Sequence, residues 1–465
     1  MCDFGLKPRL AGDSVMIRRA FNGWLGARHY NMSGTRNRHP YWLLHEICEC
    51  DVFADSGVSA NSAIWHRYGS DKAGSMASNE EVLEELQPSK KKGKRNREGK
   101  KVRERGAHLF DPITLRGLTI RNRIWLPPMD MYSVYERDGK PTPFHYQHYV
   151  SRGLGGFGLI MVEATAVSPE GRISPCDVGL WNDDQVEAWR WIVEGVRQTG
   201  ASIGVQLGHA GRKGSTGCFS IGHIAQSVPL EEGGWQTVGA TDVPYGRYAA
   251  PRALTTEEVR GIVSQFRDAA MRAVSAGFQA IELHGAHGYL LSQFMDPLIN
   301  TREDEYGGSF DNRMRFPLEV IDAVREAISD TMPLMIRISA TDWAAGGWDL
   351  DQSIDAAKLF KEHGVDLVDV STGGIVSGVT VPVQPNYQVP FSAQIRQKAE
   401  VPVTAVGFIT RPKQAQKITR NRQADAVQIG RAALRDPYWP LRAAHKLGIP
   451  VEKAPYADQY VRGAY

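Results

Sequence analysis

Long apolar runs are missing from this chain. None approaches the roughly 18 consecutive apolar residues of a membrane-spanning helix, and the best candidate, Gly158-Leu-Ile-Met-Val, stops at Glu163. The N-terminus, Met1-Cys-Asp-Phe-Gly-Leu-Lys, has no basic segment leading into an apolar one, so no secretory signal is expected. Cysteine is scarce. Cys2, Cys48, Cys50, Cys176 and Cys218 lie scattered over 465 residues, which fits a reducing compartment and a cytoplasmic protein. Cys48 and Cys50, with His45 nearby, have the wrong spacing for a zinc finger and no second pair follows, so no metal is expected there. Net charge is only +3, too small to imply a polyanionic partner for the whole chain.

What is present divides in two. Hydrophobic residues make up 42% and charged residues 23%, the balance of a soluble globular protein. Residues 1–106 nevertheless show no sustained periodicity and read as an extension of low order, expected to be disordered. Within it, residues 79–87 could form a short acidic helix. Residues 90–105 carry ten Lys or Arg in sixteen positions, a block that repels itself and is usually a solvated arm. A nucleic-acid partner is weighed for that arm and not expected, and Met76 would also serve as a start.

Residues 107–465 alternate short β-rich runs with amphipathic helical patterns. Strands are expected at 124–126, 159–164, 202–207, 280–284, 334–338, 367–371, 403–406 and 426–429. Helices are expected at 184–199, 256–276, 312–328, 353–363, 412–421 and 437–447, several closed by a glycine such as Gly200, Gly277 or Gly364. Eight strands, each followed by a helix or a long loop, predict a (β/α)8 TIM barrel. An open doubly wound sheet would want Gly-x-Gly after its first strand, and Leu126-Pro-Pro-Met-Asp-Met-Tyr132 has none.

In a barrel, chemistry gathers at the C-terminal strand ends. Gly407 and Gly430 follow the last two strands, with Arg431 beside them, a pattern suited to a phosphate. Gln206 and Arg337 would offer an amide and a guanidinium to a flat heterocycle with alternating carbonyls and N–H groups. His284-Gly-Ala-His-Gly-Tyr289 after the fourth strand admits three readings: a metal pair, structural histidines, or donors for a substrate oxygen with Tyr289 as proton source. No His-x-His or carboxylate cluster completes a metal site.

Pro127-Pro-Met-Asp-Met-Tyr132, Thr142-Pro-Phe-His145, His209-Ala-Gly-Arg-Lys213, His284-Gly-Ala-His-Gly-Tyr289, Glu305-Tyr-Gly-Gly-Ser-Phe-Asp-Asn-Arg313, Val406-Gly407 and Ile429-Gly-Arg431 together resemble the Old Yellow Enzyme family of FMN-dependent ene-reductases. The His-x-x-His pair and the short Pro-Met-x-Met-Tyr motif resemble its thermophilic-like subgroup. The resemblance covers roughly residues 107–465. It implies non-covalent FMN, reduced by NADPH or NADH and reoxidised by an α,β-unsaturated carbonyl or nitro compound in a two-step cycle. It also implies that His284 and His287 bind the activating oxygen, that Tyr289 protonates the α-carbon and that Tyr132 adds a donor. Pro127, Pro128, Met129, Ala164, Gln206 and Arg337 would hold the ring system and Gly407, Gly430 and Arg431 the phosphate, with Asp130 and Gly373 also counted among the cofactor contacts. A homodimer or homotetramer is expected.

Three departures stand out. Asp130 replaces the subgroup's usual cysteine and, if ionised, is expected to lower the flavin potential. The tail Gln459-Tyr-Val-Arg462-Gly-Ala-Tyr465 keeps the arginine that in relatives enters a neighbouring subunit, but Ala464 stands where tryptophan is usual. The segment from Gly214 to Arg252 is long enough for a flap over the mouth. Larger barrel reductases with an iron–sulfur cluster are not expected, because the cysteines are unclustered. The competing class is a nucleic-acid or scaffold protein led by the basic arm.

Overall fold

The computed structural model describes residues 106–218 and 226–465. The weighed helix at 79–87, the basic run at 90–105 and Cys2, Cys48 and Cys50 lie outside the described residues. Twelve strands occur in chain order among the described residues. The hairpin strands β1 (Ile113–Leu115) and β2 (Leu118–Ile120) come first, followed by β3 (Ile124–Leu126), β4 (Leu159–Ala166) and β5 (Ser202–Gly208). Next are the short strands β6 (Val238–Gly239) and β7 (Arg252–Ala253), then β8 (Ala280–Gly285), β9 (Leu334–Ser339), β10 (Leu367–Ser371), β11 (Val403–Ala405) and β12 (Ala426–Gln428). Eight of them close a barrel in the order β10-β11-β12-β3-β4-β5-β8-β9, so the expected TIM barrel is present. Every pairing around it is parallel, and closure runs through Val427 opposite Ile124 and Gln428 opposite Trp125.

The polarity of the barrel decides where a site can be. Ile113, Leu115 and Ile120 of the hairpin pack on Trp125, Leu159, Ala280, Met335, Leu367 and Ala426, which lie at or near the strands' first residues. The hairpin therefore plugs the N-terminal end, and the C-terminal end is left for loops and ligand.

The helices form for local reasons. Thr255 caps Thr256–Ala276 by accepting from Glu258 N, and Gly277 ends it at φ 93°, a conformation that penalises any side chain. Val259, Ile262, Phe266, Ala269, Ala270 and Ala273 are its buried face, at helical spacing. Ser309 and Asp349 cap Phe310–Ala327 and Leu350–Glu362 and start both helices earlier than their apolar pattern suggested. Pro143–Leu154, Val389–Ala399 and the short Leu290–Met295 and Arg431–Arg435 had no sequence expectation. No described helix is long and apolar enough to cross a membrane.

One tie had no sequence expectation. Cys176 and Cys218, read only as scattered cysteines, are joined across a sequence separation of 42. The bond ties the loop after β4 to the start of the long segment after β5. Both cysteines are buried, so the bridge is shielded from attacking thiolates. The long segment is anchored further. Trp235 donates its indole N–H to Glu170 O at 3.0 Å, Arg172 lies over the Trp235 ring, and β6 pairs with β7. Alkylation of the native protein followed by non-reducing digestion and mass spectrometry should find Cys176 and Cys218 unmodified and linked, with labelling only after denaturation and reduction.

Candidate active site

At the end of β3 the chain runs through Pro127, Pro128 and Met129, all buried, to the half-buried Asp130. This stretch is hung from β4. The Glu163 carboxylate accepts from Met131 N at 3.2 Å and from the Tyr149 hydroxyl at 2.6 Å. His145 Nε2 lies 3.5 Å away. Burial and Glu163 together push the Tyr149 hydroxyl far above its usual pKa. The register shifts between Val162 and Ala164, a bulge that re-aims the strand end. Beyond it, Ala164 N donates to Asp130 Oδ1 at 3.2 Å. Asp130 is therefore tied to the β4 rim. Tyr132 follows at φ 50° and packs with Ala164 against Ile173, Ala210 and Tyr289.

β8 delivers the aromatic cluster. The His284 ring meets His287 at 5.2 Å and Tyr289 at 4.8 Å between centroids, both edge-on. His284 Nδ1 accepts from Ala286 N, so in the neutral ring Nε2 carries the proton and is a donor. His287 sits at φ 59°, unusual for a side chain that size, and its backbone is held there. Its N–H donates to Ser339 Oγ, which donates to Gly373 O, and its Nε2 pairs with Ser371 Oγ at 2.8 Å. A Cβ on Gly374 would come within 2.6 Å of His287 Cα, so these loops touch backbone to backbone. Lys213 Nζ donates to His287 O at 2.8 Å and lies 5.0 Å from the Tyr289 ring centroid.

A small cleft lies among Ala164, Arg172, Ile173, His209, His284 and Tyr289, with Asp177 also on its wall. His209 Nδ1 accepts from Gly211 N, and its Nε2 has no partner among the described residues. Burial pushes its pKa down to about 4, opposed by Glu170. Burial pushes Asp177 up to about 7, against hydrogen bonds from Ser174 and Ile173. Near neutral pH the His209 ring is thus neutral and Asp177 partly protonated, while Arg172 on the same wall keeps its charge.

Inside the barrel, Gln206 Nε2 donates to Glu282 Oε1 at 2.8 Å and Arg337 Nε lies 3.1 Å from Asp369 Oδ2. The expected amide and guanidinium are therefore both present at the strand ends, each with an acidic neighbour. At the far rim, Gly407 has φ 108°, and a Cβ there would meet Gln388 Nε2 at 2.8 Å. The Arg431 guanidinium stands 5.6 Å from the ring of Phe408, so the loops after β11 and β12 converge. Gly430 caps the turn that Arg431 begins. A glycine-lined, arginine-bearing rim beside a buried amide–guanidinium pair matches a phosphate-tailed heterocycle such as FMN in its donor set.

Several quoted motif residues turn out to be scaffold. His145 receives Thr142 N and closes the capping box of Pro143–Leu154. Arg313 grips Met295 O and stacks near Trp348, while Tyr306 bonds Glu319. Arg212 clasps the carbonyls of Val243 and Ile375. Arg462 is exposed on the turn Asp458–Gly463, beside the helix Trp439–Lys446, and does not line the cleft of its own chain. Sequence reasoning assigned no role to Lys213, Glu163, Glu282 or Ser371. Lys213 and Glu163 were visible at strand ends, but only the folded chain shows what they touch.

A family model described as NADH:flavin oxidoreductase / NADH oxidase matches residues 108–449. Proteins called NADPH dehydrogenase are similar over the same region. That of Bacillus pumilus is 45% identical over 344 residues, 74% of this chain and 96% of its own length. That of Geobacillus thermodenitrificans is 45% identical over 356 residues, covering 76% and 98%. Among solved structures, morphinone reductase aligns at TM-score 0.62 and 29% identity, covering 76% of this chain and 92% of its own. The old yellow enzyme homologue from Zymomonas mobilis aligns at 0.61 and 29%, covering 76% and 97%. With barrel, rim and family in agreement, the chain belongs to the NADH:flavin oxidoreductase / NADH oxidase family, the Old Yellow Enzyme family, and is an FMN-binding oxidoreductase that takes its electrons from NAD(P)H.

Proposed function

We propose that the chain reduces the activated C=C bond of α,β-unsaturated carbonyl or nitro compounds in a ping-pong cycle, NAD(P)H binding and leaving before the acceptor enters. The observation that carries this is the His284–Tyr289 pair, ring to ring at 4.8 Å on one wall of the cleft. FMN, when bound, supplies the two-electron relay between nicotinamide and acceptor. Pro127, Pro128, Met129, Ala164, Gln206, Arg337 and Gly373 would hold it, with Gly407, Gly430 and Arg431 at its phosphate.

The chain's own residues then orient and polarise the acceptor. His284 Nε2–H and His287 grip the carbonyl or nitro oxygen and draw charge toward it, which makes the β-carbon electrophilic. Tyr132, packed in the same cluster as Tyr289, adds a further hydroxyl. The Tyr289 hydroxyl gives its proton to the α-carbon. Lys213 holds a cation near that ring and offsets the charge left on the phenol oxygen. His209 Nε2 is a spare donor in the cleft. Residues 107–465 carry this chemistry in a cytoplasmic homodimer or homotetramer, with Arg462 reaching a partner's cleft.

The deciding experiment is anaerobic reduction of the yellow protein by NADPH or NADH, followed by reoxidation with enones, maleimides and nitroalkenes. Reoxidation by these acceptors and not by saturated ketones is expected; an oxidised flavin recovered only with oxygen defeats the proposal. Tyr289→Phe should slow reoxidation by an enone roughly 100-fold while the nicotinamide still reduces the flavin. Asp130→Asn removes a rim charge and should raise the midpoint potential by roughly 50 mV; an unchanged potential removes Asp130 from that role. Deleting residues 460–465 should raise the acceptor KM with FMN still bound, as measured by steady-state kinetics and flavin absorbance.

A further inference from the structure

Glu282 is a buried acid for which the reaction above has no use. It lies at 1% exposure inside the barrel, on β8, two residues before His284. Its Cα partner on β5 is Gln206, whose Nε2 donates to it. On the next strands, Arg337 of β9 stands beside Asp369 of β10, and Thr404 of β11 donates to the other oxygen of Asp369. The charged groups facing Glu282 are thus Arg337 and Asp369; β5 offers only the neutral Gln206.

One guanidinium cannot balance two carboxylates. With both ionised, the interior would hold an uncompensated negative charge, a costly state away from water. Burial and Asp369 push Glu282 up to about 8, with Arg337 and the Gln206 bond acting the other way. A carboxylic acid still accepts the Gln206 N–H on its carbonyl oxygen, so the geometry accommodates the neutral form.

We propose that Glu282 is a positioning residue of the flavin site: as a neutral acid it holds the Gln206 amide and leaves Arg337 balanced by Asp369 alone, so that the barrel interior behind these two side chains carries no net charge. This rests on the reading that Gln206 and Arg337 hold the flavin's heterocycle. Reduction adds negative charge at that edge, which Arg337 offsets. An ionised Glu282 opposes that charge. Where Glu282 is ionised in the oxidised protein, reduction by NAD(P)H therefore draws one proton from water onto its carboxylate.

The test has one arm without flavin and one with it. In the apoprotein, infrared spectroscopy should show a protonated-carboxyl C=O band that titrates near pH 8 and is missing from Glu282→Gln; an unaltered spectrum in the variant overturns the proposal. Stability follows the same group. Below pH 4.5 folded and unfolded chains both hold the proton, and between there and about 8 only the folded chain does. Its contribution to stability therefore falls as pH rises and levels off above 8.

In the holoprotein, the wild-type midpoint potential should fall more steeply above pH 8 than that of Glu282→Gln. At pH 9 and equal reductant poise, its ratio of reduced to oxidised flavin should be lower by on the order of tenfold. Parallel profiles overturn the proposal. If the variant fails to fold, a wild-type potential with no bend near pH 8 overturns it alone. Gln206→Ala separates the two readings. Unchanged FMN affinity in Gln206→Ala defeats the flavin contact and the coupling with it. Weakened affinity there with parallel Glu282→Gln profiles defeats only the role of Glu282.

Discussion

The site depends on a very short pairing, β12 against β3, where Val427 and Gln428 face Ile124 and Trp125. Without that closure the sheet would be open, and the Gly430–Arg431 rim and the Pro127–Tyr132 segment would lie at its two opposite edges. With it, all eight strand ends share one mouth, and the hairpin of β1 and β2 blocks the other end. Closure also leaves the barrel sheet itself without free edges. The apolar lower layers hold the barrel together, and the upper layer is released from packing to carry polar groups.

That upper layer is held by reciprocal constraint rather than by individual strong bonds. Glu163 orders the β3 loop through Met131 N and is itself fixed by Tyr149. Ser339 links His287 to Gly373, and Gly374 allows the two loops to touch. Buried polar groups are affordable only when their partners are in place, so each side chain of the rim is specified by another strand. The Cys176–Cys218 bridge adds a covalent tie between the loops on either side of the cleft.

Much of this was legible in advance where the signal was local. Eight β-rich runs and most of the long helices show through periodicity, and a helix end shows through Gly277; the caps Ser309 and Asp349 were not read, so both of their helices begin earlier than expected. The polar cluster His284–Tyr289 stood out because a glycine-rich, donor-rich hexapeptide is a poor core. Motif matching was less discriminating. Thr142-Pro-Phe-His145 and Glu305–Arg313 were as prominent as the His-x-x-His pair, yet they cap helices and brace loops. A motif records that residues are needed, not whether the need is chemical or mechanical. The cysteine pairing was not legible for a related reason: a sequence separation of 42 carries no pairing information.

By itself, then, the sequence determined the strand alternation, the barrel and the family, because those rest on periodicity and short motifs read within a few positions. The folded chain alone decided that Asp130 is tied to Ala164, that Cys176 meets Cys218, that Lys213 sits by Tyr289, and that Glu282 and Asp369 face one arginine. These contacts join different strands or loops, many of them tens of residues apart in sequence. Charge state and hydrogen-bond direction inside the barrel follow from who shares that buried space, and only closure of the sheet creates it.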